Sequence, residues 1–117
     1  MQTITLPAEQ VPVLAECDVL VCGGGPAGIG AAVCAARHGA KVILVERWPF
    51  VGGMGTAGMV NGWIRSDLQK VVIDGLVDEL TRRLMAGGWF FEWHDRWPHY
   101  ETGWFNPEGL RVVGHRL

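Results

Sequence analysis

Two apolar runs near the start of the chain, Val19-Leu-Val-Cys22 and Val42-Ile-Leu-Val45, contain no polar residue. Continuous rather than alternating hydrophobicity predicts parallel strands covered on both faces, one over Asp18–Cys22 and one over Lys41–Glu46. Between them, the alanine-rich stretch from Pro26 to His38 predicts a helix, stopped by Gly39 in a left-handed conformation. Gly30, Ala31 and Ala35 form a small face that predicts close packing on the sheet. Gly30 costs about 1 kcal/mol relative to alanine in an ordinary helix, which calls for a packing reason. Further on, Ile73, Leu76, Val77, Leu80 and Leu84 recur at helical spacing and predict an amphipathic helix over Val72–Met85. Arg82 and Arg83 suit its last turn, and Gly87-Gly88 ends it. Asn106-Pro107-Glu108 announces a third helix, with a capping residue, proline in the first turn and an acid facing the dipole. Residues 1–16, with Pro7 and Pro12, read as an extended lead-in. Trp89–Phe105 is aromatic and irregular.

Strand, glycine turn, helix, strand and acid together make a dinucleotide-binding fingerprint in its full setting. Gly23 allows a sharp turn out of the first strand, and Gly25 keeps side-chain atoms away from a pyrophosphate. Gly28 lets helix and strand approach closely. Pro26 loses nothing by lacking an N–H in the first turn. The remaining free N–H groups and the helix dipole face the phosphates, so Gly23, Gly25, Pro26, Ala27 and Gly28 are candidate cofactor-binding residues. Glu46 lies 18 residues past Gly28, where a carboxylate accepts hydrogen bonds from adenosine ribose hydroxyls. A 2′-phosphate there would be repelled, which disfavours NADP. The Gly-Lys-Ser/Thr ending of a triphosphate-cradling loop is absent, since Gly28 is followed by Ile29 and Gly30. A glycine-rich turn in some other α/β protein is the bland alternative. The register of strands, helix and acid favours the dinucleotide.

After the second strand, Arg47-Trp-Pro-Phe-Val-Gly-Gly-Met-Gly-Thr-Ala-Gly-Met holds four glycines between residues 52 and 58. Flexible linkers are seldom laced with residues such as Trp48, Phe50, Val51, Met54 and Met59. The composition therefore favours a structured loop that hugs a ligand.

Length and charge bound the rest. At 117 residues the chain is at most one small domain, and a net charge of −2 offers no basic patch for nucleic acid or anionic lipid. No apolar run is long enough to span a membrane, and the N-terminus lacks the pattern of a signal peptide. The expected setting is cytoplasmic. The three cysteines, Cys17, Cys22 and Cys34, match neither a zinc site nor a redox pair and read as reduced, mostly buried thiols. His94, Asp95 and His99 fit no common ligand spacing, so no metal is expected. Trp89, Trp93, Trp97 and Trp104 read first as core, with a substrate pocket or partner surface as the alternative.

From Asp18 to Thr56 the sequence resembles FAD-dependent oxidoreductases of the glutathione-reductase type, relatives of the fumarate reductase and succinate dehydrogenase flavoproteins. The residues carrying the resemblance are Gly23, Gly25 and Gly28, then Glu46-Arg47, then Gly52-Gly53-Met54 with Thr56-Ala57-Gly58-Met59. Asp74-Gly75-Leu76 through Leu84 and Asn106-Pro107-Glu108-Gly109-Leu110 are less specific matches. The resemblance implies an α/β fold with a Rossmann-like βαβ FAD/NAD(P)-binding domain and FAD as cofactor. It further implies that Glu46 takes the adenosine ribose and that the Gly52-Gly53 loop lies along the pyrophosphate and ribityl chain. Arg47 and Met54 join the candidate cofactor-binding residues on the same ground. The chemistry implied is hydride transfer through the flavin in the complete enzyme, with no catalytic residue placed by spacing.

A doubly wound sheet needs five or six parallel strands, and only two are secure here. The chain is therefore expected to be an incomplete FAD-binding domain, the N-terminal portion of a parallel sheet. Within it, 1–16 is the lead-in, 17–60 the dinucleotide-binding βαβ unit with its glycine loop, and 61–117 a helical and aromatic segment. A second polypeptide is one way of completing it, and the isolated chain is expected to be inactive. The alternatives are an NAD-binding segment of a dehydrogenase and a non-catalytic truncated or interaction fragment.

Overall fold

The computed structural model describes residues 2–5, 7–63, 72–92 and 103–117. The two apolar runs form β1 (Val19–Cys22) and β2 (Val42–Val45), joined in parallel with Val19 opposite Val42 and Cys22 opposite Val45. Asp18 pins their register at one end, because its backbone N–H donates to the Lys41 carbonyl and its carboxylate accepts the Lys41 N–H at 2.8 Å. Helix α1 (Pro26–Arg37) makes the crossover. It ends at His38, whose Nδ1 donates to the Cys34 carbonyl at 2.7 Å, and Gly39 follows at φ +90°. Close helix–strand approach at Gly28 is visible directly: a Cβ there would collide with the Gly23 carbonyl oxygen.

Among the described residues, cover on both faces of this sheet is not observed. Helix α1 packs on β1 and β2, whereas Leu20 and Val45 are 57% and 52% exposed and Cys22 is exposed. Apolar runs report what the strands demand and do not say which neighbours supply it. The thiols depart from expectation for the same reason, since Cys17 is half-buried and Cys34, like Cys22, faces solvent.

Helix α2 (Leu76–Ala86) begins four residues later than the periodicity predicts. Gly75 sits at φ +72°, outside the helical region, so Val72 and Ile73 belong to the preceding segment. The end agrees, with Arg83 in the last turn and Gly88 at φ +71°. Helix α3 (Pro107–Gly114) starts as read from sequence, the Asn106 side chain accepting the Glu108 N–H at 2.9 Å.

A second sheet replaces the irregular aromatic segment. Strands β3 (Gly62–Trp63), β4 (Phe90–Glu92) and β5 (Gly103–Phe105) pair antiparallel in the order β3-β5-β4. Strands of two or three residues are too short to show alternation, which is why the pattern missed them. Around this sheet lies the core: Leu80, Leu84, Phe90, Phe105, Leu110 and Val113. Trp63 packs against it, with its ring centroid 4.5 Å from that of Phe105 and the planes tilted by 36°, and Trp89 packs against it as expected. Trp104 is 45% exposed and does not belong to the core. Trp93, His94, Asp95, Trp97 and His99 lie outside the described residues.

Candidate functional site

Strand β1 carries the chain up to Gly23, whose φ of +107° turns it away from the sheet while its N–H still donates to the Val45 carbonyl. Gly24 follows, buried, with both backbone groups engaged. Its N–H donates to Glu46 Oε2 at 2.7 Å and its carbonyl accepts the Gly52 N–H at 2.7 Å. Gly25 then caps α1 in an extended conformation and offers no side-chain hydrogen bond to the helix. The first turn contains no acid, and Pro26 and Ala27 are exposed. A Cβ built on Gly25 meets no atom within 4 Å. The start of α1 thus presents N–H groups and a positive dipole end to open space, an arrangement that suits a phosphate anion.

Glu46 stands half-buried at the end of β2. Its Oε1 accepts the Trp48 N–H at 3.0 Å while Oε2 holds Gly24. These two backbone donors, Trp48 foremost, keep its pKa below the ordinary carboxylate value, with the Arg47 charge helping. The carboxylate is therefore ionised at neutral pH and retains lone pairs for further donors.

The second glycine loop is ordered by its neighbours. Gly52 and Gly53 adopt φ +114° and +51°, and a short 3-10 turn covers Gly53–Gly55. A Cβ on Gly53 would lie 2.8 Å from Gly25 Cα, so the two glycine segments touch backbone to backbone. Thr56, fully buried, donates its hydroxyl to the Val51 carbonyl at 3.0 Å. Gly55 abuts Leu110 and Phe105, where a Cβ would come within 2.8 and 3.3 Å. The loop is structured, as its composition suggested.

Eight of the candidate residues thus meet in one neighbourhood: Gly23, Gly25, Pro26, Ala27, Gly28, Glu46, Gly52 and Gly53. The other two, Arg47 and Met54, adjoin these segments in the chain and have other or solvent-facing surroundings. The Arg47 guanidinium lies over the Trp48 ring, 5.4 Å from its centroid, and Met54 is 60% exposed. Trp48 in turn stacks on Phe50, over which Arg111 places its guanidinium at 3.8 Å. Sequence reasoning passed over Gly24 and Thr56 as site-building residues. Three consecutive glycines were the available signal for the first; the second was named only among the residues carrying the resemblance, with no role given to its hydroxyl.

Beside the glycine loops lies a cavity of about 420 Å³. It is walled by Pro26, Ile29 and Gly30 of α1, by Gly52 and Met54 of the loop, and by residues of α2, β3, β5 and α3. Gly30 accordingly does not pack tightly on a neighbour. A Cβ there meets nothing within 4 Å, which corrects the packing reason read from the sequence. Trp63 also lines the cavity, and its indole Nε1 is shielded from solvent with no hydrogen-bond partner among the described residues. An unsatisfied buried donor of this kind costs roughly 1–3 kcal/mol. Among the described residues no group of three His, Cys, Asp or Glu is placed to hold a metal, and no helix is long and apolar enough to cross a membrane.

Residues 18–117 match the family described as FAD dependent oxidoreductase. The chain is 34% identical to the sarcosine oxidase subunit alpha of Rhizobium meliloti over 83 residues, covering 69% of this chain and 8% of that protein. It is 42% identical to the fumarate reductase (cytochrome) of Shewanella frigidimarina over 60 residues, covering 49% of this chain and 10% of that protein. A soluble pyridine nucleotide transhydrogenase of Marinobacter nauticus is 53% identical over 74 residues, 62% of this chain and 16% of that protein. No solved structure matches the chain significantly.

Proposed function

The chain belongs to the FAD dependent oxidoreductases, and from that premise we propose that its βαβ unit and glycine loop hold the ADP half and ribityl chain of FAD. The observation carrying this reading is the junction at Gly24. Its N–H is held by Glu46 and its carbonyl by Gly52, so the ribose-side acid, the helix start and the second glycine loop form one backbone-lined cradle. Gly25 leaves that cradle open where a pyrophosphate must approach.

In this reading the first-turn N–H groups of α1, Ala27 included, bind the pyrophosphate, and Pro26 holds the turn in helical geometry. Glu46 accepts from the ribose hydroxyls through lone pairs left after Gly24 and Trp48. Gly52 and Gly53 bring backbone alongside the ribityl chain, with Arg47 and Met54 at the flanks. FAD, when bound, supplies hydride transfer to or from an organic substrate.

Among the relatives the chain spans only a small share of each protein, from 4% to 24%. The exposed apolar face of β1 and β2 supports cover by further protein, whether more strands of the same domain or a second polypeptide. The whole enzyme's hydride-transfer activity therefore belongs to this proposal. So do its division into a lead-in at 1–16, a βαβ unit with its loop at 17–60 and a trailing segment at 61–117, and its cytoplasmic setting.

The test is a flavin assay on the full chain. Protein that purifies yellow, or binds added FAD in preference to NADH, supports the reading. Protein that binds NADH and ignores FAD overturns it.

A further inference from the structure

We infer that helix α3 positions the dinucleotide cradle, with Arg111 and Gly114 holding the segment 48–51 against Glu46 and Gly24. What the cradle binds rests on the FAD reading, whereas the contacts that position it do not.

Two contacts tie α3 to that segment. The Arg111 guanidinium lies 3.8 Å from the Phe50 ring centroid, oriented by Glu108 Oε1, which accepts from its Nη1 at 2.7 Å. Phe50 stacks on Trp48 with centroids 6.4 Å apart and planes within 10°, and the Arg47 guanidinium lies over Trp48. Each ring of the stack thus carries a cation, an arrangement favoured by the ring quadrupole. Gly114, on the same face of α3 as Arg111, receives Val51. A Cβ there would lie 2.7 Å from Val51 Cγ2.

The same segment touches the cradle at both ends. The Trp48 N–H is one of the two donors that fix the Glu46 carboxylate, at 3.0 Å. Val51 Cγ1 packs on Gly24, where a Cβ would lie 3.0 Å away. Val51 therefore fills the space between α3 and the middle glycine of the first turn. Gly24 is in turn bonded to Glu46 and Gly52, so a shift of Phe50 or Val51 reaches the ribose-side acid and both glycine segments. Arg111 and Gly114 act through these neighbours and are positioning residues.

The experiment uses the full chain and two readouts. One is FAD affinity by fluorescence titration. The other is the pH midpoint of Glu46 without FAD, followed through the Gly24 amide resonance. In the parent chain the Trp48 N–H is the foremost influence keeping that midpoint below 4.5, ahead of the Gly24 N–H and the Arg47 charge. Arg111→Met and Phe50→Leu keep apolar bulk and remove the contact between cation and ring. Each should raise the Glu46 midpoint and weaken FAD binding about fivefold, and the double variant should do no worse than either single one. Phe50→Tyr keeps the ring and should match the parent. Gly114→Ala should weaken FAD binding by a similar factor in the parent and leave it unchanged in a Val51→Ala background, where Cγ2 is gone. The inference is overturned by a Glu46 midpoint or an FAD affinity that neither single variant moves, by additive losses in the double variant, or by equal harm from Gly114→Ala in both backgrounds. Glu46 midpoints that follow the expected pattern in a chain that ignores FAD keep the positioning role and sink the FAD reading alone.

Discussion

Glu46 Oε2 accepts the backbone N–H of Gly24 at 2.7 Å across 22 residues of sequence. A carboxylate at the end of the second strand is ordinarily read as a ligand for ribose. Here it also fixes the middle glycine of the first turn, and its other oxygen fixes Trp48. The residue therefore shapes the cradle in addition to facing it. Gln at this position keeps the length but loses the charge, and an amide group would oppose one of the two N–H donors. Glu46→Gln should weaken FAD binding by about tenfold or more, measured by flavin fluorescence titration. An unchanged affinity would remove Glu46 from the site.

The glycines of α1 separate by what a methyl group would meet. At Gly28 a Cβ collides with the Gly23 carbonyl oxygen, backbone that cannot move without opening the helix–strand contact. At Gly30 the same methyl meets nothing within 4 Å. Gly28→Ala should lower stability by roughly 1–3 kcal/mol, and Gly30→Ala should raise it by about 0.5–1 kcal/mol through helix propensity. Urea denaturation of both variants gives the comparison, and equal signs would contradict it.

This contrast also marks how far the sequence could be read. The fingerprint spacing placed Gly23, Gly25, Gly28 and Glu46 in one neighbourhood because each is local to a strand end or a first turn. Gly30 was misjudged because the same small residue serves tight packing and an open cavity wall, and only tertiary neighbours distinguish them. Helix α3 was legible from Asn106 and Pro107, whose capping chemistry is written in adjacent residues. The start of α2 was not, since Val72 and Ile73 continue the helical period while Gly75 at φ +72° breaks the backbone. Strands β3, β4 and β5 span two or three residues each and pair across long sequence separations, so no local pattern encodes them. Glu46's bond to Gly24 joins the same two segments that the fingerprint names, yet the glycine it holds carries no side chain to advertise the role.

Gly25 allows folding and binding to be separated. Its backbone is extended, with φ −71° and ψ −178°, and a Cβ there is unopposed by protein atoms. Gly25→Val should leave thermal unfolding within a few degrees of the parent and abolish FAD binding, because the branched side chain fills the pyrophosphate's place. Retained FAD affinity in a folded Gly25→Val chain would contradict the placement of the phosphates.

Glu79 joins α1 to α2 by accepting from Arg37 at 2.7 Å, and it also accepts from Arg83 at 2.6 Å on its own helix. Those guanidiniums, Arg37 first, hold its pKa below the ordinary value of 4.5. Because the folded-state pKa is depressed, the pair's contribution is fully present above the unfolded value and is lost as pH falls through the folded one. The bridge is largely solvent-exposed, so its effect is small and salt-sensitive. Replacing Glu79 by Gln should flatten the dependence of melting temperature on pH below about 4.5 and leave a smaller difference at high salt. Identical acid profiles for parent and variant would show that the bridge does not couple the helices.

Thr56 is the buried polar residue on which the second glycine loop closes. Its hydroxyl donates to Val51, and its methyl group crowds Gly52, where a Cβ would collide with it. Valine preserves the shape and removes the donor, leaving the Val51 carbonyl without that partner. Thr56→Val should cost about 1–2 kcal/mol, with the loss falling on FAD affinity as well as on stability, since Gly52 also holds the Gly24 carbonyl. Thr56→Ser keeps the hydroxyl and should restore most of the binding. Hydrogen exchange at the Gly52 amide gives a direct readout: faster exchange in the valine variant and near-parent protection in the serine variant are expected. Equal protection in both would detach Thr56 from the junction.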